Sequence, residues 1–173
     1  MTIEDQSHKV RFIPEGYPVV APYVIVHGVA KFLDFLKEVF DATERTRVYN
    51  DDGVTIGHAE VEIGGSVILM FDAKKDWPLT PSFFNIYVKD CEEVHNRALK
   101  TGATEVTPLS PTNPWGDRGS RLRDPVGNIW WLQTHVEDVE DEEMMKRMGG
   151  SEFAEAMKVS TETLDRAMKN PKP

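Results

Sequence analysis

The stretch Gly57-His58-Ala59-Glu60-Val61-Glu62-Ile63-Gly64-Gly65-Ser66-Val67-Ile68-Leu69-Met70-Phe71 decides how this chain folds. Both of its arms are rich in apolar, strand-forming residues, and Gly64-Gly65 between them supplies the positive φ that a tight hairpin needs. With those glycines as the loop, Ile63 faces Ser66, Glu60 faces Leu69 and His58 faces Phe71. Alternation then puts Ala59, Val61, Ile68 and Met70 on one fully apolar face. His58, Glu60, Leu69 and Phe71 share the other face. A histidine and a carboxylate among large apolar groups suit a ligand cavity better than a solid core.

Upstream of the hairpin, residues from Ala21 to Val26 read as a strand, with Pro22 tolerated near its start. From Val29 to Phe40 the apolar residues Val29, Phe32, Leu33, Leu36, Val39 and Phe40 form one helical stripe. A strand from Thr43 to Tyr49 and a turn over Asn50-Asp51-Asp52-Gly53 complete a β-α-β-β-β unit. Downstream the pattern restarts: a strand from Phe83 to Val88, a helix from Asp90 to Lys100, and a strand from Thr104 to Pro108. The helix carries a predicted capping box (Asp90 as N-cap, Glu93 at N3) and Gly102 as its left-handed terminator. A loop from Leu109 to Gly119 leads to a second hairpin, Arg121 to His135, turning at Asp124-Pro125-Val126-Gly127. Val24-Ile25-Val26 precedes Ile86-Tyr87-Val88 by 62 residues, and Gly65-Ser66-Val67 precedes Gly127-Asn128-Ile129 by the same 62. A constant offset carrying matching element types marks a tandem duplication.

The chain therefore divides into an N-terminal arm (1–17, with an edge strand as its alternative reading), a first module (18–73), a linker (74–81), a second module (82–136) and a C-terminal helical extension (137–173). The extension reads as two methionine-containing helices, one ending at Gly149-Gly150 and one from Ser151 to Met168. It either docks on its own chain or a dimer mate, or serves as a flexible lid.

At 173 residues, 40% hydrophobic and 28% charged, the composition is that of a soluble globular protein with a sizeable core. A net charge of -9 argues against nucleic acid and anionic membrane surfaces as partners. Six of the seven residues from Glu137 to Glu143 are acidic, which suits a solvated helix start. The single cysteine, Cys91, precludes an internal disulfide and reads as a small buried hydrophobe. The polar start Met-Thr-Ile-Glu-Asp-Gln-Ser-His lacks an apolar signal core, and no run approaches the ~20 apolar residues of a membrane span. The expected location is cytoplasmic.

Two segments, Ile56 to Met70 and Pro114-Trp115-Gly116-Asp117-Arg118-Gly119-Ser120-Arg121-Leu122-Arg123-Asp124-Pro125-Val126-Gly127-Asn128-Ile129-Trp130-Trp131, set in tandem modules, resemble the vicinal oxygen chelate superfamily. That superfamily holds glyoxalase I, bleomycin-resistance proteins and extradiol dioxygenases, and the likeness is greatest to its PhnB-like branch. It spans residues 18–136 and does not reach 150–173. The resemblance implies an α+β fold: two β-α-β-β-β modules forming a curled mixed sheet around a concave cavity, helices on the convex face, and C-terminal helices beyond. It also implies four metal-ligand positions, which fall here on Ala21, Leu69, Phe83 and Trp131. None of these side chains carries a donor that could bind a divalent ion. The expectation is thus no metal and no cofactor, as in the metal-free binding members.

By alternation from those positions the concave face gains Tyr23, Asn85, Tyr87, Phe71 and Gln133. His58 and Glu60 join by cross-strand pairing. With Pro125-Val126-Gly127 as the second hairpin loop, Leu122, Trp130 and Leu132 face the helices, while Arg121 and Arg123 share the face of Trp131. Both arginines are expected to hold acidic side chains or the hairpin itself. Trp115 belongs to the loop at the mouth, and His27 reads as a polar loop or cap residue. Aromatic walls (Tyr23, Phe71, Phe83, Trp115, Trp131) with polar anchors (His58, Glu60, Asn85, Arg121, Gln133) suit a planar or hydrophobic organic ligand, with arginine available to an acidic group. The function expected is small-molecule binding by a homodimer, holding an aromatic or hydrophobic metabolite or drug. The alternative is a lyase, isomerase or dioxygenase of the same fold, with His58 and Glu60 as acid/base or as metal ligands.

Overall fold

The computed structural model describes residues 11–170. Twelve elements follow in the order β1 (Tyr23–Val26), α1 (Val29–Phe40), β2 (Thr43–Tyr49), β3 (Ile56–Ile63), β4 (Ser66–Asp72), β5 (Phe83–Tyr87), α2 (Cys91–Lys100), β6 (Thr104–Thr107), β7 (Asp117–Arg123), β8 (Ile129–His135), α3 (Asp141–Met148) and α4 (Ser151–Lys169). The duplication is present in the strand order: β1-β4-β3-β2 in the first sheet, β5-β8-β7-β6 in the second. In each, the first strand of the module lies parallel to the last, and the other pairs are antiparallel.

The first hairpin has the expected register, from Ala59 opposite Met70 to Ile63 opposite Ser66. Gly64 and Gly65 both take positive φ (54° and 82°), the two left-handed positions that a two-residue loop demands. Ala59, Val61, Ile68 and Met70 are buried. Their face meets α1, whose apolar stripe is sealed on all sides.

The two modules are joined through their helices. Arg97 of α2 donates two hydrogen bonds to the Val39 carbonyl at the end of α1 (2.7 and 3.1 Å). Trp130 of β8 reaches across the boundary, 4.6 Å from the Phe40 ring and 6.4 Å from Phe32, while stacking on Phe84 at 4.3 Å. The helices thus lie between the two sheets in one continuous core. Each sheet keeps its other face for other uses, and that determines where the site forms.

Several boundaries differ from the sequence reading, each for a local reason. The second hairpin begins at Asp117 rather than Arg121, because Asp117-Arg118-Gly119-Ser120 pairs with Leu132 to His135 despite its unstrandlike composition. The predicted capping box of α2 is half formed: Asp90 accepts from the Glu92 and Glu93 amides, but the Glu93 side chain turns outward to Arg97. Of the two roles read for His27, loop residue or cap, it takes the first: its Nε2 lies 3.1 Å from the Trp77 carbonyl, and it does not cap α1. That task falls to Asp72, at the far end of β4, whose Oδ1 accepts from the Gly28 and Val29 amides (2.8 and 2.9 Å). Residues 11–17 form no strand, and residues 1–10 of the predicted arm lie outside the described residues. No helix among the described residues is long and apolar enough to cross a membrane.

Candidate functional site

The second sheet turns its outer face to α4, and a cavity of about 970 Å³ lies between them. Alternation along β7 and β8 puts Gly119, Arg121, Trp131 and Gln133 on this face, as the hairpin register requires. The loop before β7 supplies Leu109 and Trp115, and α4 supplies Phe153, Met157 and Ser160. Phe153 meets Trp115 edge-on, with centroids 6.2 Å apart.

Arginines hold α4 in place. Arg121 Nη1 donates to the carbonyl and the hydroxyl of Ser160, both at 2.8 Å, and Arg123 Nη2 donates to the Ala167 carbonyl at 2.6 Å. Thr107 and Thr163 share a further hydrogen bond of 2.8 Å. The sequence reading gave these arginines acidic partners or the hairpin. Arg123 does serve the hairpin through the Gly127 carbonyl, but the main partner of both is the backbone of α4. Arg121 lies over the Trp131 ring at 4.5 Å, and burial alone pulls its pKa below the usual arginine value.

The outer face of the first sheet carries a different arrangement. His58 Nε2 is 2.8 Å from Glu60 Oε1, and His58 Nδ1 is 3.0 Å from the Tyr23 hydroxyl. Tyr17 donates to Glu60 Oε2 at 2.6 Å, and Arg45 lies 4.0 Å from the same carboxylate. Burial pushes the Glu60 pKa up, but the hydrogen bonds from Tyr17 and His58 and the nearby charges more than offset it, leaving the pKa lowered. Tyr23 packs edge-on against Phe71 at 5.5 Å, and Phe71 in turn meets Trp77. With Glu60 ionised, the imidazole donates from Nε2 and can accept the Tyr23 proton at Nδ1. The chemistry available is a tyrosine–histidine–carboxylate proton relay.

Of the residues predicted for one shared cavity, Trp115, Arg121, Trp131 and Gln133 line the cavity beneath α4. Tyr23, His58, Glu60 and Phe71 cluster on the first sheet, away from it. Phe83, Asn85 and Tyr87 lie on the outer edge of the second sheet, with Phe83 and Tyr87 about half exposed. Asn85 accepts from Gln133, and Tyr87 donates to Asp117 at 2.9 Å. The two concave faces therefore do not enclose one hollow within a single chain, because the modules meet through their helices. Sequence reasoning missed α4 as a wall. The stripe Phe153, Ala156, Met157 and Ser160 was visible at helical spacing, but nothing in it named the sheet it would cover. It also missed His135, which sits 2.7 Å from Asp117 and 3.0 Å from Asp138, bonds that raise its pKa.

The metal that the resemblance implies does not fit these residues. Leu69 and Trp131 pair with Tyr23 and Asn85 on separate sheets, and Ala21 and Phe83 add no donor. Among the described residues no group of three His, Cys, Asp or Glu side chains could hold an ion.

A sequence profile of the Glyoxalase/Bleomycin resistance protein/Dioxygenase superfamily matches residues 18–132. The uncharacterized protein Mb0911c of Mycobacterium bovis is 34% identical over 142 residues, covering 76% of this chain and 92% of its own length. Among solved structures, the PhnB protein from Bacillus cereus superposes with a TM-score of 0.55 at 15% identity, over 68% of this chain and 99% of its own. The fosfomycin resistance protein FosX from Listeria monocytogenes gives 0.55 at 17% identity, over 73% and 97%. The duplicated modules, their strand order and the matched residues agree: this chain belongs to the Glyoxalase/Bleomycin resistance protein/Dioxygenase superfamily.

Proposed function

We propose that this chain is a small-molecule-binding protein that holds an aromatic or hydrophobic metabolite or drug between the second sheet and α4. The observation that carries this reading is the cavity itself: about 970 Å³, walled by Trp115, Trp131 and Phe153. Ligand pockets commonly occupy ~300–1,000 Å³ with mainly apolar walls and few polar anchors. The test is calorimetric titration with 2-naphthamide, a neutral planar probe, into wild type and Ala156→Trp, which projects an indole into the cavity. Binding to wild type that weakens at least ~10-fold in the variant supports the reading; equal binding by both contradicts it.

The relay of Tyr23, His58 and Glu60 favours a second reading, an acid/base enzyme acting on the open face of the first sheet. Under it, His58→Ala abolishes turnover and leaves 2-naphthamide affinity unchanged. The working form in this proposal is a cytoplasmic homodimer. Its support is the free edge of β1 and of β5, together with half-exposed Tyr23, Phe83 and Tyr87 beside those edges. Sedimentation equilibrium giving twice the 19.6 kDa chain mass is the expected result, and a monomer at tens of micromolar contradicts it.

A further inference from the structure

We infer that the cavity beneath α4 selects ligands carrying a carboxylate on an apolar body, and that Arg121 is the residue that reads the carboxylate. This inference rests on the binding reading above and gives the ligand its charge and polar group.

The argument starts from how the guanidinium is spent. Its two faces are not equivalent: Nε–H and the outer hydrogen of Nη2 point the same way and form a side-on fork, while Nη1 points to the opposite side. In this chain Nη1 takes all the protein's acceptors: the Ser160 carbonyl, the Ser160 hydroxyl and, at 3.5 Å, the Thr107 hydroxyl. Neither Nε nor Nη2 donates a hydrogen bond to any of the described residues. Nε is moreover the one buried side-chain nitrogen or oxygen among them that lacks a partner. Arg121 is only 7% exposed, so water does not readily satisfy this edge. A buried donor left unpaired costs about 1–3 kcal/mol, more when charged.

The charge is equally uncompensated. No carboxylate of the described residues lies within salt-bridge distance of Arg121, and burial is the sole cause of its lowered pKa. The neighbouring arginines differ on this point. Arg123 has the Asp124 carboxylate nearby, whose charge works against the lowering that burial causes, and Arg147, at the cavity's rim, is doubly paired with Glu137 and Glu143. Glu152 and Glu155 also border the cavity, but from the exposed side of α4. The side-on fork matches the two oxygens of a carboxylate, a pairing that is bidentate and strong where water is scarce. Trp131 lies beneath the guanidinium carbon at 4.5 Å, and Trp115 and Phe153 are left to cover the hydrocarbon. The ligand class is an amphipathic monocarboxylate, aromatic or acyl.

The test pairs acids with their neutral, near-isosteric amides: 2-naphthoate against 2-naphthamide, and decanoate against decanamide, by calorimetry at pH 7.5 on the full chain. Wild type is expected to bind at least one acid ~10-fold or more tightly than its amide, and in Arg121→Gln the acid-to-amide affinity ratio is expected to fall to about 1, whatever the loosening of α4 does to both affinities. Arg121→Lys, which keeps the charge but not the fork, is expected to recover only part of it. Acid and amide binding equally to wild type overturns the carboxylate inference and leaves the binding reading standing. Binding of none of the four compounds overturns both. The wild-type comparison decides even where Arg121→Gln does not fold.

Discussion

The Asp124-Pro125-Val126-Gly127-Asn128 turn sets the register that places Arg121 opposite Trp131, and a single substitution tests how. Asp124 is almost fully buried and accepts four hydrogen bonds. Oδ1 takes the Val126 and Asn128 amides (3.0 and 2.9 Å), and Oδ2 takes Asn128 Nδ2 and Trp130 Nε1 (both 2.9 Å). Both oxygens face only donors. Asp124→Asn can therefore keep two bonds at most, since whichever end becomes NH₂ meets two N–H groups. Losing two bonds to a charged acceptor, at about 1.5–3 kcal/mol each, gives an expected destabilisation of about 3–6 kcal/mol despite the near-identical shape. In the Asp124→Asn background, Trp130→Phe removes one opposing donor, so the pair should couple by about 1–2 kcal/mol in a double-mutant cycle. Urea unfolding followed by circular dichroism measures both quantities. Asp124→Asn within ~1 kcal/mol of wild type, or a coupling near zero, would refute the claim that hydrogen bonding at this carboxylate organises the turn.

Three further expectations concern the two outer faces. Phe153→Ala removes the edge-on partner of Trp115, and 2-naphthamide affinity should fall about 3- to 10-fold by calorimetry while the unfolding midpoint moves little. Glu60 has a lowered folded pKa, so its contribution to stability is present above its unfolded value near 4.5 and is lost as pH falls through the folded value. Tyr17→Phe deletes one of the bonds responsible, so acid unfolding should begin at higher pH in the variant. His135 has a raised folded pKa, so its contribution is full below about 6.5 and disappears as pH rises through the folded value. The urea-midpoint gap between wild type and His135→Gln should thus be present at pH 5.5 and shrink at pH 8.5.

The fold was legible in the sequence because it rests on periodicity. Gly64-Gly65 fixes one hairpin, the α1 stripe fixes the face it covers, and the 62-residue offset copies both into the second module. What periodicity does not carry is the choice between two burial partners for equally apolar surfaces. Trp130 and Phe40 were both legible as core, but not that they would meet each other across the module boundary. That choice decided the site: with the helices joined inside, the His58 face and the Trp131 face separated. Long-range caps were likewise invisible. Asp72 reaches Gly28 only because β4 pairs with β1, whereas Asp90 caps its own helix and was found at once. The wall that α4 supplies lies outside the stretch matched to the superfamily, so family likeness could not supply it.

The chain has four tryptophans, and their indole N–H signals in a two-dimensional nitrogen–proton spectrum test the central claim most directly. Trp115 and Trp131 border the cavity, Trp130 is sealed in the core against Asp124, and Trp77 packs on Phe71 by the first sheet. On titration with 2-naphthamide, the account predicts that the Trp115 and Trp131 signals move while those of Trp77 and Trp130 stay. Movement of Trp77 alone, or of none of the four at saturating probe, contradicts it.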